Sequence, residues 1–321
     1  RLVEWGFVGA YGLLLIGSSL LIASAAYAEQ RHVDKSLEAS ADGTVRVSVV
    51  RGEVRVVGWD KNQVEVRGEL DEQLEEFIFE VNGNETRIEV RVPRTSSMGY
   101  FNKETNLAIR IPRNSRLVVS GVSTDVGARE VNSGVEIGVV SGDVSLQGGT
   151  DRIVLQTVSG EINLRDAGGR VRLKSVSGDI ESFNTTGSGT YGTVSGDMLI
   201  ENGAEELKVE SVSGDIEIIE GNFSRIAGHS VSGDIDIRGA FKKGGSIEFD
   251  NVSGTIRLTL AEGVDSRFEV ETGSGSIRNR MTDDEPRVSK YVRDERLEFV
   301  IGKGAGEVIL NTRSGDVVLS H

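Results

Sequence analysis

The tetrad Val-Ser-Gly-acid returns along this chain at a nearly constant interval, and that period constrains the fold more than any other feature. Ser141, Ser159, Ser177, Ser195 and Ser213 follow one another at 18 residues, and Ser232, Ser253 and Ser274 continue at 19, 21 and 21. A degenerate copy, "VSTDV" at Ser123, lies 18 before the first. A last copy, "RSGDVVL" at Ser314, comes 40 after Ser274, which implies that one coil between them has diverged or been replaced by a loop. Within each unit the apolar residues alternate. Leu207 and Val209 share the parity of Ser211, and a second set runs through Val212, Gly214, Ile216 and Ile218. Two runs of period two mean two short strands. This frame sends Val212, and likewise Val158 and Val176, into the core, with the corner at the phase slip between Ser211 and Val212.

Such a unit cannot stand alone. Ordering its backbone costs about 1 to 2 kcal/mol per residue, whereas four or five buried aliphatics return roughly 1.5 to 3 kcal/mol each. Stacking closes the deficit, so the period predicts an all-β fold: a parallel β-solenoid of about ten coils, near 50 Å long at a rise of ~4.8 Å per coil. The inward corner position is polar in Thr157, Ser175, Thr193, Ser211, Ser230, Asn251, Thr272 and Thr312. We read it as a structural ladder in which side chains bond one another or the corner backbone. The Gly after each Ser, from Gly142 to Gly315, implies positive φ or a close backbone approach.

The chain divides into three parts. In residues 1–28, "YGLLLIGSSLLIASAAYAEQ" has an apolar run and then small residues at Ala26 and Ala28, the pattern of a signal peptide cleaved after Ala28. An uncleaved anchor is the competing reading, and either one places the remainder outside the cytoplasm, periplasmic or secreted to the cell surface. Residues 29–116 are strand-rich without the strict period and are expected to form an irregular β cap and the first coils, including a hairpin turning at Asn82-Gly83. Residues 117–321 form the repeat region, with polar insertions at 95–106 before it and near 279–294 within it. Late units carry extra residues at 220–223, 240–245 and 261–265, on one edge. Insertions there can build a binding face, with Lys242 and Lys243 as its partner-binding candidates, or can simply be tolerated length.

Charge and composition narrow the functions. A net charge of -14 and no basic stripe argue against nucleic acid and against an anionic membrane surface. The absence of Cys excludes disulfides, thiolate metal sites, thiol catalysis and a lipid-modified N-terminal Cys. The three His, His32, His229 and His321, have no second His at metal spacing.

The stretches "RGEVRVVGWDKNQVEVRG", "LAIRIPRNSRLVVSGVSTDV", the "VSGDI" series and "GEVILNTRSGDVVL" resemble the bacterial putative-adhesin β-strand-repeat proteins, a domain-of-unknown-function family, over roughly residues 41–319. The resemblance implies an extracytoplasmic, envelope-associated protein. It brings no catalytic residues with it.

One column could still carry chemistry. Asp143, Glu161, Asp179, Asp197, Asp215 and Asp234 follow the Gly of successive units, with Thr255 and Ser276 next and Asp316 in the last. Stacked about 5 Å apart, each pair repels by roughly 0.8 kcal/mol in water and about 3 kcal/mol at an effective dielectric of 20. Two things could offset this: calcium shared between coils as the only cofactor, or local capping of corner N–H groups with water screening the rest. Asp283 with Asp284, or the acid row near Lys242 and Lys243, are the only candidates for acid-base work, and their separation is not legible in sequence. Three functional readings follow. The first is a non-catalytic exported solenoid that binds an envelope or extracellular glycan or protein. The others are a carbohydrate-active β-helix enzyme and a calcium-stabilised module.

Overall fold

A computed structural model describes residues 31–93, 104–289 and 293–321. The proposed signal peptide and most of the 95–106 insertion lie outside the described residues. Among the described residues, no helix is long and apolar enough to cross a membrane.

The described chain is all-β and solenoid-like. Through its middle each coil contributes two strands that pair in parallel with the same strands of the next coil. Arg152–Gln156 lies on Gly168–Lys174, which lies on Thr186–Ser195, and that strand on Glu206–Ser213. The second strands, Ile162–Arg165, Ile180–Phe183 and Met198–Glu201, stack beside them. The sheet is not wholly parallel, however. At one end His32–Glu38 pairs antiparallel with Gln63–Glu69, which pairs antiparallel with Thr105–Pro112, and Glu76–Asn82 forms a hairpin with Glu85–Arg91. The hairpin is where the sequence puts it, but Asn82 pairs with Glu85, so the turn is Gly83-Asn84. At the other end Glu295–Ile301 lies antiparallel on Ser266–Thr272.

The order of the rungs adds to the reading of the long Ser274–Ser314 interval. Where a parallel coil would stand, the described residues hold the antiparallel strands Arg287–Val288 and Glu295–Ile301. Gly306–Ser314 is inserted between Ile235–Ser253 on one side and Ser266–Thr272 on the other, and Val317–Ser320 sits likewise between Ile256–Leu260 and Ile277–Asn279. The chain passes one rung outward, reverses through Glu295–Ile301, and fills the rung it skipped. The first end has the same construction. Thr44–Trp59 lies between Arg116–Val131 and the outer rung made by Glu85–Arg91 and Thr105–Pro112. Each terminal region is thereby held by a strand with neighbours on both sides, which counters the fraying of an open stack.

The core is one continuous file of aliphatics, with aromatics placed where a neighbour gives room. Phe249 stacks on Gly228, where a Cβ would lie 2.0 Å from the Phe249 ring. Tyr191 is buried, and its hydroxyl bonds Ser182 Oγ at 3.1 Å and Thr185 Oγ1 at 3.2 Å, so the polar tip is satisfied inside the stack.

Two corners recur. At the Ser-Gly corner, Gly214 has φ 130° and a Cβ there would meet the Gly196 carbonyl oxygen at 2.1 Å. Only Gly satisfies both demands. At the other, Asp166, Asn184 and Asn202 adopt left-handed φ of 54°, 52° and 49°. Asn184 Nδ2 donates to Asp166 Oδ1 and Asn202 Nδ2 to Asn184 Oδ1, each at 3.1 Å. Asp and Asn accept this backbone more readily than other side-chain-bearing residues.

Near the first end, Arg51 and Asp71 form a latch. Arg51 Nε and Nη2 donate to the two Asp71 oxygens at 2.5 and 2.8 Å, and the Gln73 N–H adds a bond at 2.7 Å. Burial pushes the Asp71 carboxyl up, but the Arg51 and Gln73 bonds outweigh it and hold it below the usual carboxylate range.

Candidate binding groove

The Val of each tetrad does not enter the core. Val122, Val140, Val158, Val176, Val194, Val212, Val231 and Val252 stand outward, each 37% to 49% exposed. The inward set ends at Ser211 and resumes at Ile216, so the whole of Val-Ser-Gly-Asp forms the corner, and the phase slip is spread over four residues rather than lying between Ser211 and Val212. Alternation requires one slip between Ser211 and Ile216 and does not say where, which is why parity misplaced Val158, Val176 and Val212.

The bend at the inward polar residue makes the outer surface concave. The residue before it and the Val after it both point outward and become two walls. One wall carries Gln156, Lys174, Gly192, Glu210 and His229, and the other Val158, Val176, Val194, Val212 and Val231, with Thr157, Ser175, Thr193 and Ser211 between them as the floor. The groove has a volume of about 960 Å³, is open to solvent along one side, and crosses six coils, so at ~4.8 Å per coil it is about 24 Å long. His229 is thus a wall residue beside buried Ser230.

The polar floor meets the expected ladder only in part. Thr157 Oγ1 bonds the Gly142 carbonyl at 3.2 Å, Thr272 Oγ1 the Gly315 carbonyl at 2.9 Å, and Asn251 Nδ2 reaches two corner carbonyls at 3.3 Å. The hydroxyls of Ser175, Thr193, Ser211, Ser230 and Thr312 are buried without a partner among the described residues. Their spacing sets the polar atoms in file without bringing them into bonding geometry.

Charge along the polar wall is uneven. Arg152 is in register with Arg170, and Lys174 with Gln156, so Arg152, Arg170, Arg172 and Lys174 gather on the outward face of two adjacent strands. Arg170 reaches Asp151 at 3.8 Å, while Arg152, Arg172 and Lys174 have no ion pair among the described residues. Net charge hides this local basic cluster, which the sequence reading did not find. Farther along, Glu210 is held by Lys208 at 2.6 Å, and that bond, with the nearby Lys174 and His229, keeps its carboxyl below the usual range.

The acid row lies just past the valines, and it is a hydrogen-bonding column. Oδ1 of Asp125, Asp143, Asp179, Asp197, Asp215 and Asp234 accepts the backbone N–H of Asp143, Glu161, Asp197, Asp215, Asp234 and Thr255 at 2.7 to 3.0 Å. Asp316 accepts from Ser276 N–H at 2.9 Å, in keeping with the rung order. Every Asp of the row makes this bond, while the longer Glu161 does not make it to Asp179. The Thr255 N–H, with Arg257 adding to it, lowers the Asp234 carboxyl, and the Ser276 N–H and hydroxyl, with Arg278, lower that of Asp316. Among the described residues no three His, Asp or Glu side chains gather as a metal site.

The remaining sequence candidates lie elsewhere. Lys242 and Lys243 line a smaller hollow with Glu262 and Asp265, formed where two of the insertions meet, and Lys242 is engaged by Glu205 at 2.5 Å. His32 bonds Glu69 in the first end, and Asp284 bonds Thr282 in the late insertion, part of which lies outside the described residues.

Among curated proteins, none matches this chain. Among solved structures, a putative adhesin from Parabacteroides distasonis is 14% identical, covering 70% of this chain and 96% of its own, with a TM-score of 0.47. A putative adhesin from Bacteroides fragilis is 14% identical, covering 71% and 98%, at 0.42. A putative lipid binding protein from Parabacteroides distasonis is 12% identical, covering 89% and 96%, at 0.36. The family model matches over residues 44–320, nearly all of the described chain, and the protein belongs to the Toastrack DUF4097 family.

Proposed function

We propose that this is a non-catalytic, exported binding protein of the cell envelope, and that its partner docks along the valine-walled groove. The observation that carries the reading is the file of exposed valines. An apolar stripe that is contiguous in a concave surface through successive coils, rather than scattered singly as on an ordinary surface, supports an interaction site there. The acid row supports the stack from within its own backbone, which favours a structural role for it over a calcium site. Export and envelope association rest on the signal-like first 28 residues.

The test is retention of the protein on isolated bacterial wall and membrane fractions, comparing wild type with Val194→Lys and Val212→Lys. Both positions face solvent, so the variants should melt like wild type and lose binding. Unchanged retention in both would overturn the groove as the docking face.

A further inference from the structure

From the shape of the groove and the placement of charge along it, we infer that its occupant is a single-chain anionic amphiphile, a long-chain fatty acid held as one monomer. The inference rests on the groove being the binding face and goes on to name what binds there. The groove is a trough open to solvent along its length, and its apolar wall is a single file of valines, one per rung, which offers a narrow apolar track to one extended chain. A peptide strand lying along the groove would cross the coils, whose backbone groups already pair from rung to rung, and its own amides would face Val methyls unpaired. A sugar chain would turn hydroxyls to the same methyls, and no Phe, Tyr or Trp lines the groove to receive a ring face. A polymethylene chain suits the valine wall.

The charges supply the head. Lys174 lines the groove and Arg172 stands two residues before it on the same outward face, while Arg152 and Arg170 line a separate hollow with Glu136 and Asp151. Past Lys174 the wall passes through Gly192, which has no side chain, to Glu210 in its pair with Lys208. A polyanion would meet that carboxylate. An amphiphile with one anionic group sets its carboxylate at Arg172 and Lys174 and runs its tail along Val176, Val194, Val212 and Val231, about 14 Å at ~4.8 Å per rung, with exposed Val252 the next step of the same file.

The experiment is displacement of a fluorescent fatty acid from the full protein by palmitate, hexadecanol and butyrate, in wild type, in Arg172→Gln/Lys174→Gln, and in Val194→Ser/Val212→Ser. Palmitate should bind saturably at one per chain, with hexadecanol and butyrate each at least tenfold weaker. Each double variant should lose at least tenfold for palmitate while its melting curve stays that of wild type. No palmitate binding, equal affinity for palmitate and hexadecanol, or undiminished binding in either double variant would overturn the assignment. If envelope retention needs the groove but palmitate does not bind, only the fatty acid falls. If retention ignores the groove substitutions, the functional reading falls with it.

Discussion

Replacing Asp197 separates the two accounts of the acid row. Its Oδ1 accepts the Asp215 N–H at 2.8 Å, its own N–H donates to Asp179 at 2.8 Å, and like charges stand one rung away on both sides. At ~4.8 Å in a water-like dielectric each of those neighbours costs about 0.9 kcal/mol, so neutralising Asp197 relieves somewhat under 2 kcal/mol. Against this, a hydrogen bond to a charged group contributes about 1.5 to 3 kcal/mol and one between neutral groups about 0.5 to 1.5 kcal/mol. Asp197→Asn keeps an acceptor, and gain and loss nearly cancel, so it should stay within ~1 kcal/mol of wild type. Asp197→Ala forfeits the bond and should fall about 1 kcal/mol below Asn. Urea unfolding followed by circular dichroism, with calcium and with chelator, measures all three. If the row holds calcium, Asn and Ala should fail alike and wild type alone should gain from the ion. That pattern would refute the hydrogen-bonded column.

Further outcomes follow from the same geometry. Glu161→Asp keeps the charge and shortens the side chain to the length that bonds elsewhere in the row, so it should stabilise the protein by about 1 kcal/mol in urea. Gly214→Ala must accommodate a Cβ 2.1 Å from the Gly196 carbonyl oxygen as well as positive φ. It should therefore cost about 3 kcal/mol or more, read as a lowered urea midpoint. Arg51→Met leaves the buried Asp71 carboxylate without its bidentate counter-ion, and loss of that latch should cost about 3 to 5 kcal/mol in the same assay. Asp71, Asp234 and Asp316 have carboxyls held below their unfolded value, so the unfolded chain binds more protons in acid. Their stabilisation should be complete above about pH 5 and should decline as pH falls through 4 and below, measured as melting temperature against pH.

The repeat made much of this fold legible. A fixed interval with paired alternations dictates short strands that must stack, and the corner Gly is explained by the backbone carbonyl it abuts. Three features were not legible, each for its own physical reason. The valines pointed outward because a four-residue corner and an abrupt slip give the same parity on either side. The last rung lies out of sequence order, and spacing alone shows that a coil is replaced between Ser274 and Ser314 but not that the chain doubles back to fill a skipped rung. The basic cluster was hidden because Arg152 and Arg170 become neighbours only through register, inside a chain whose net charge is strongly negative. A signal for the second corner was available in Asp166, Asn184 and Asn202, spaced at 18 residues.

The central claim, that the valine file is where a partner binds, is open to a direct footprint because the chain has no Cys. Single Cys placed at Val194, and at Ser145 on another outward position, would be labelled with a polar thiol reagent in the free protein and in the presence of envelope fractions. The account predicts rapid labelling at both sites when free and selective protection of position 194 when bound. Slow labelling of position 194 in the free protein, or equal protection at both positions, would contradict it.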